Sequence, residues 1–424
     1  IAAANWTRPC VTSLLTGKYP DKHRMINVAQ TNNVNLYPQE NLPAILKKDG
    51  YALIALSTSN IAQPIANGTS AFFDVNKFDA RASANIPYYE LVPMLLACNG
   101  SILSGKCGIR SLLWLADWSK ELFAAFPEKL LLMKPYTRPF YPPELVFNRA
   151  KDILGDANNF QRKPLFLWTH LQVPHAPYLP ASPAKGKFSN GNGDVFYDYA
   201  FQRPYYASEY APDEQSYIDR LRLHYDENIF YGDEAFGQYL RALKQSGRFD
   251  DSIIIVSADH GESFNHGFQG HGGALLYQPL VHIPLLIHLP GQEKGRRLAS
   301  TVSQTDIAPT ILDLLGYAVP AWMDGRSLKE AMGGKQLADR PVFSMNLDGI
   351  PIRGNIAKGN AAVISGGYKY VIYGKLYDLK NDPEEKNNLA DLEPERMQTM
   401  HQMILDRIAG SSANFTSSRQ KMDY

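Results

Sequence analysis

At 424 residues the chain exceeds the usual size of a single hydrophobic core, so one large α/β domain with an appendage, or two domains, is expected. Its composition, 45% hydrophobic, 20% charged and 11% aromatic, is ordinary for a globular protein. The 43 basic and 42 acidic residues leave a formal charge of +1, which excludes an electrostatic footprint for nucleic acid or an anionic membrane surface.

In "NWTRPCVTSLLTGKYP", Pro9–Thr16 reads as a helix with Pro9 in its first turn, Gly17 at its stop and Pro20 just beyond. "NLPAILKKDG" repeats that design with Asn41 as cap, Pro43 in the first turn and Gly50 at the end, and "YALIAL" follows as a buried strand. The most apolar stretch, Ser111–Met133, is broken by Asp117, Lys120, Glu121, Pro127 and Glu128. It is no transmembrane segment and reads as an amphipathic helix pair forming a packed lid or buried face. Cys98 and Cys107 enclose a short loop that suits either a disulfide or two free thiols.

Farther along, Phe140–Leu154 reads as a helix, Pro164–Leu171 as a continuous apolar strand, and Pro174–Pro212 as a loop rich in Tyr, Pro, Asn and Gly. A long helix runs from about Asp213 to Gly247, followed by buried strands at Ser252–Ala258 and Val281–Leu289. The tail carries two short strand-like runs and then a helix over Met397–Ile408, a pattern for a small antiparallel subdomain. Strands alternating with helices argue for a mostly parallel sheet covered by helices.

An open α/β sheet keeps its site at the carboxyl ends of its strands. Asp259, His260, Glu262, His266 and His271 follow one buried strand; His170 and His175 close another, so five of the ten histidines lie in two turns. Asp259 and His260, adjacent at a strand end, can turn towards one cation. A carboxylate with an imidazole favours manganese or zinc over calcium, which prefers oxygen shells. Thr7 falls near the N-terminus of the first helix, where a hydroxyl is either a cap worth about 1 kcal/mol or a group facing an anion. Coordination to a divalent cation would lower its pKa enough for in-line attack.

Together these segments resemble the sulfatase family: "TRPCVTSLLTGKYP", "LPAILKKDGY", "FLWTHLQVPHAPY", "YDENIFYGDEAFGQYLRALKQSGRFDDSIIIVSADHGES", "TDIAPTILDLLG", "DGRSL" and "YDLKNDPEEKNNLAD" match it in order. The resemblance implies an alkaline-phosphatase-like fold, a three-layer α/β/α sandwich with a mostly parallel central sheet and a small C-terminal antiparallel subdomain. A catalytic domain over 1–335, with a divergent insertion at about 86–139, would precede a subdomain over 336–424. The family's first strand, with its acidic metal ligands, would lie before Ile1. The chain opens on "IAAANW" without an initiator Met, so a missing leader gives no cytoplasmic address, and a periplasmic or extracellular location is favoured.

Residue by residue, the resemblance puts Thr7 at the nucleophile position, where sulfatases carry the cysteine or serine that becomes formylglycine. Cys10 is not a displaced version, because Thr12 stands where proline is required two residues on. Val11 replaces an expected arginine, leaving Arg8 as the nearby substrate-binding candidate. Asp259 and His260 match the metal pair, with Thr7 against the same ion. His271 stands where a lysine is usual and His175 at a substrate-contacting histidine. Val173 replaces the acid of two-zinc relatives, so one divalent ion is expected, manganese or zinc, with calcium as the alternative. The implied activity is cleavage of a phosphate mono- or diester of a small molecule, glycan or lipid headgroup. A sulfuric ester hydrolase acting without formylglycine, a phosphoryl-group transferase and an inactive binding protein are the rivals.

Overall fold

Strand β1, Ala52–Ser57, is buried at every residue, and its alternating side chains divide the molecule into layers. Ile54 and Leu56 pack with Val146, Phe147, Ala150 and Ile153 of the helix Pro143–Gly155 and with Ala235, Tyr239 and Leu243 of the helix Gln215–Gln245. Leu53 and Ala55 face the opposite way, towards Leu42 and Leu46 of the helix Leu42–Lys48 and Ala308 and Leu312 of the helix Ile307–Leu314. Helices therefore cover both faces of the strand, the α/β/α arrangement, and each fully buried aliphatic side chain contributes roughly 1.5–3 kcal/mol. The computed structural model describes residues 1–27, 39–59, 61–64, 66–75, 141–155, 163–176, 178, 180, 183–189, 208–350 and 354–422. The expected amphipathic pair at 111–133 and the Cys98–Cys107 loop lie outside them.

Strand β2, Leu165–His170, runs parallel to β1 with Ala52 opposite Leu165 and Ser57 opposite His170. Strand β3, Ser208–Glu209, belongs to a small separate sheet. Strand β4, Ile254–Ser257, pairs antiparallel with a strand at Leu285–His288, which starts later than expected because 278–281 forms a helical turn first. Among the described residues neither β2 nor β4 has a partner on its other edge. This explains why two continuous apolar runs, expected to be buried, are half-exposed along their whole lengths. A cleft of about 1660 Å³ is lined by residues from both strands and from the long helix Gln215–Gln245.

The C-terminal portion holds four antiparallel strands, Val342–Asn346, Asn360–Ser365, Tyr368–Val371 and Lys375–Asp378, and the helix Pro394–Met422. One face of this sheet, with Val363, Tyr370 and Leu376, packs on Met400, Ile404 and Ile408 of that helix. Ala362 and Val371 of the other face join Ala2, Ala4 and Cys10, so the sheet is also a wall for the segment leading into the first helix. Cys10 is fully buried there, and burial raises its thiol pKa far above the usual range.

Candidate active site

The first helix, Thr7–Thr16, ends at Gly17 in the left-handed region, φ 66°, as its sequence predicts. Its start differs. Trp6 is the N-cap, Thr7 is the first helical residue, and no side chain caps the helix. The Thr7 hydroxyl instead lies 3.2 Å from His260 Nε2, across 253 residues of sequence.

Two buried side chains bracket this contact. Asn5 donates to the carbonyls of Gly272, Gly273 and Leu275 at 2.9, 3.1 and 2.6 Å, tying the turn after His271 to the start of the helix. Gln304 accepts from Ala3 N at 3.2 Å and donates to the carbonyls of Ala258 and Asp259 at 3.2 and 2.9 Å, tying the end of β4 to the same segment. Gly261 carries the chain past the peptide of Pro279, where a Cβ would fall 2.0 Å from the carbonyl oxygen. Only glycine allows its N–H to reach Leu280 O at 2.8 Å.

Asp259 Oδ2 lies 3.4 Å from His170 Nε2 and 3.5 Å from His260 Nε2. Burial alone would raise the Asp259 pKa, but His260 and His170 hold the carboxyl well below its ordinary range. His260 is pushed down by burial, against the pull of Asp259, and stays neutral near pH 7. Its Nδ1 faces the carbonyl of Gly261 at 2.8 Å. A carbonyl only accepts, so Nδ1 carries the proton and Nε2 presents a lone pair to the Thr7 hydroxyl. His175 is half-buried; desolvation, with His271 nearby, pushes its pKa down to about 3, and its Nδ1 lies 2.6 Å from Ala176 O. The His271 ring sits 4.3 Å from that of His260 and 4.9 Å from that of His175.

The fold thus gathers Thr7, Asp259, His260, His175 and His271, and the Arg8 guanidinium donates to Asn27 O at 2.5 Å. Three site residues escaped the sequence assignment. His170 and Glu262 stood in the histidine-rich turns without a role; Asn5 gave no signal beyond its place before a helix. As a test of cation binding, Asp259 and His260 offer an ionised carboxylate and an imidazole lone pair on one side of Thr7. Among the described residues no group of three His, Cys, Asp or Glu side chains is arranged to hold a metal ion.

A chain with helices on both faces of a sheet and polar residues at the strand ends belongs to a recognisable class. A phosphonate monoester hydrolase from Silicibacter pomeroyi superposes with a TM-score of 0.62 at 18% identity, over 97% of this chain and 87% of that one, which defines the alkaline-phosphatase-like fold. Residues 1–317 match the sulfatase family, and residues 265–413 match the family described as N-sulphoglucosamine sulphohydrolase, C-terminal. The chain belongs to the sulfatase family. Among curated relatives it is 27% identical over 279 residues to arylsulfatase K of Xenopus laevis, covering 57% of this chain and 51% of that protein. It is 27% identical over 248 residues to an endo-4-O-sulfatase of Bacteroides thetaiotaomicron, 54% of this chain and 48% of that one. The chain spans about half the length of these curated relatives. No described helix is long and apolar enough to cross a membrane.

Proposed function

We propose that the protein is a hydrolase that cleaves a phosphate mono- or diester by nucleophilic attack of Thr7 Oγ1. The 3.2 Å contact between that hydroxyl and the unprotonated Nε2 of His260 carries the proposal. The Thr7 proton points at this lone pair, so the oxygen gains nucleophilic character as it approaches phosphorus. His175 and His271 flank the same space and would orient the ester oxygens and the leaving group. Arg8 remains a substrate-binding candidate, since the bond from Nη1 to Asn27 O uses only one of the guanidinium's five donors. A divalent cation held by Asp259 and His260 would occupy the His260 Nε2 lone pair; it would then lower the hydroxyl pKa and neutralise charge in place of the Thr7–His260 hydrogen bond.

A sulfuric ester is the second reading, favoured by the sulfatase names of the curated relatives. Turnover of 4-nitrophenyl phosphate, bis(4-nitrophenyl) phosphate and 4-nitrophenyl sulfate separates the two. Thr7→Ala should abolish turnover while leaving the circular dichroism spectrum unchanged. Full activity in that variant would remove Thr7 as nucleophile. Aryl sulfate turnover equal to or above that of both phosphates would replace the first reading by the second.

A further inference from the structure

Glu262 and His271 are nine residues apart and are brought together by a hairpin. Strand β5, Ser263–Asn265, pairs antiparallel with β6, Phe268–Gly270, in the register Ser263 opposite Gly270 and Asn265 opposite Phe268. The two connecting residues, His266 and Gly267, both have positive φ, 60° and 65°, the backbone of a tight two-residue turn that matches strand twist. That turn sets the register, and the register sets Glu262 opposite His271 at the open end of the hairpin. Both carboxylate oxygens of Glu262 lie near His271 Nδ1, at 3.2 and 3.1 Å, with the side chains only 5% and 12% exposed.

We propose that Glu262 is the positioning residue for His271: it holds the ring proton on Nδ1 and directs Nε2 to accept the proton of the water that hydrolyses a covalent Thr7 ester. A carboxylate accepts only, so the hydrogen bond fixes both the tautomer and the plane of the imidazole. In that second step water oxygen bonds to the phosphorus (or sulfur) and its proton goes to Nε2. The bond to Thr7 Oγ1 breaks with its electron pair on that oxygen, which takes a proton from solvent, and Nε2 releases the water's proton to solvent. The inference rests on the Thr7 nucleophile, but its tests separate the two.

Long-range ¹H–¹⁵N spectra, with the His271 signals assigned through His271→Ala, read the tautomer without any need for turnover. The proton should sit on Nδ1, and Glu262→Ala should redistribute it. A proton on Nε2, or signals that Glu262→Ala leaves unmoved, overturns the assignment. With 4-nitrophenyl phosphate, or the sulfate if that ester is preferred, Glu262→Ala should lower steady-state kcat about 100-fold, within the usual range for a proton-transfer group. The first nitrophenolate should still be released in a burst, and acid quench should trap the phosphorylated or sulfated peptide containing Thr7. Glu262→Gln keeps a carbonyl acceptor and should lose only about tenfold, and it serves in place of the alanine variant if that one does not fold. Loss of kcat without a burst, or unchanged kcat, refutes the second-step role. Turnover surviving in Thr7→Ala refutes the nucleophile and leaves the tautomer result standing.

Discussion

Gln304→Leu tests whether the site is held in place from outside the chemistry. The replacement keeps the volume of a side chain that is 2% exposed and removes three hydrogen bonds. Ala258 O keeps a second donor, the Ser257 hydroxyl at 3.3 Å, so its loss counts for little. Ala3 N and Asp259 O lose the bonds that link them through Gln304, and each buried group left unsatisfied costs about 1–3 kcal/mol. The expected destabilisation is therefore about 2–6 kcal/mol, measured as a shift in urea midpoint at constant m-value. The same variant should lose turnover while folded, because the Asp259 end of β4 is no longer tied to the segment that carries Thr7. A loss below about 0.5 kcal/mol with full turnover would refute the bracing role, since that is the ordinary cost of a surface substitution.

Asp324 accepts from Arg407 through two bonds of 2.9 Å and from Lys22 at 2.6 Å, and although burial opposes ionisation these cations hold its pKa at about 2. A carboxyl depressed in the fold stabilises above its unfolded pKa and loses that contribution as pH falls through the folded one. Asp324→Asn should therefore be less stable by about 2 kcal/mol at pH 7, with the gap closing between about pH 4 and pH 2; a gap constant with pH would contradict the assignment. Gly261→Ala would force a Cβ to within 2.0 Å of Pro279 O, so the turn must open and break the Gly261–Leu280 hydrogen bond. It should cost about 3 kcal/mol and impair turnover through the carbonyl that orients His260, and a denaturation midpoint matching that of the parent protein would exclude the close approach.

The features readable in the sequence are those set by neighbours along the chain. Asn41 accepts from Ala44 N at 2.8 Å, as its place before Leu-Pro predicts, because a cap needs only three residues of context. The apolar run at 52–57 became a fully buried strand, since helices cover both of its faces. The runs at 164–171 and 252–258 carry the same pattern, yet both strands are half-exposed, because burial depends on what occupies each edge and pattern alone does not report it. At the site, position and residue type left Thr7 open between a cap and a group facing a ligand; its side chain caps nothing, and its hydroxyl meets His260 from 253 residues away. By contrast, the Glu262–His271 pair was within reach of local reasoning. "SFNHGFQG" offers a two-residue turn between short strands, and counting outward from His266 and Gly267 places residue 262 opposite 271. The histidine-rich turn hid this signal by inviting a search for metal ligands.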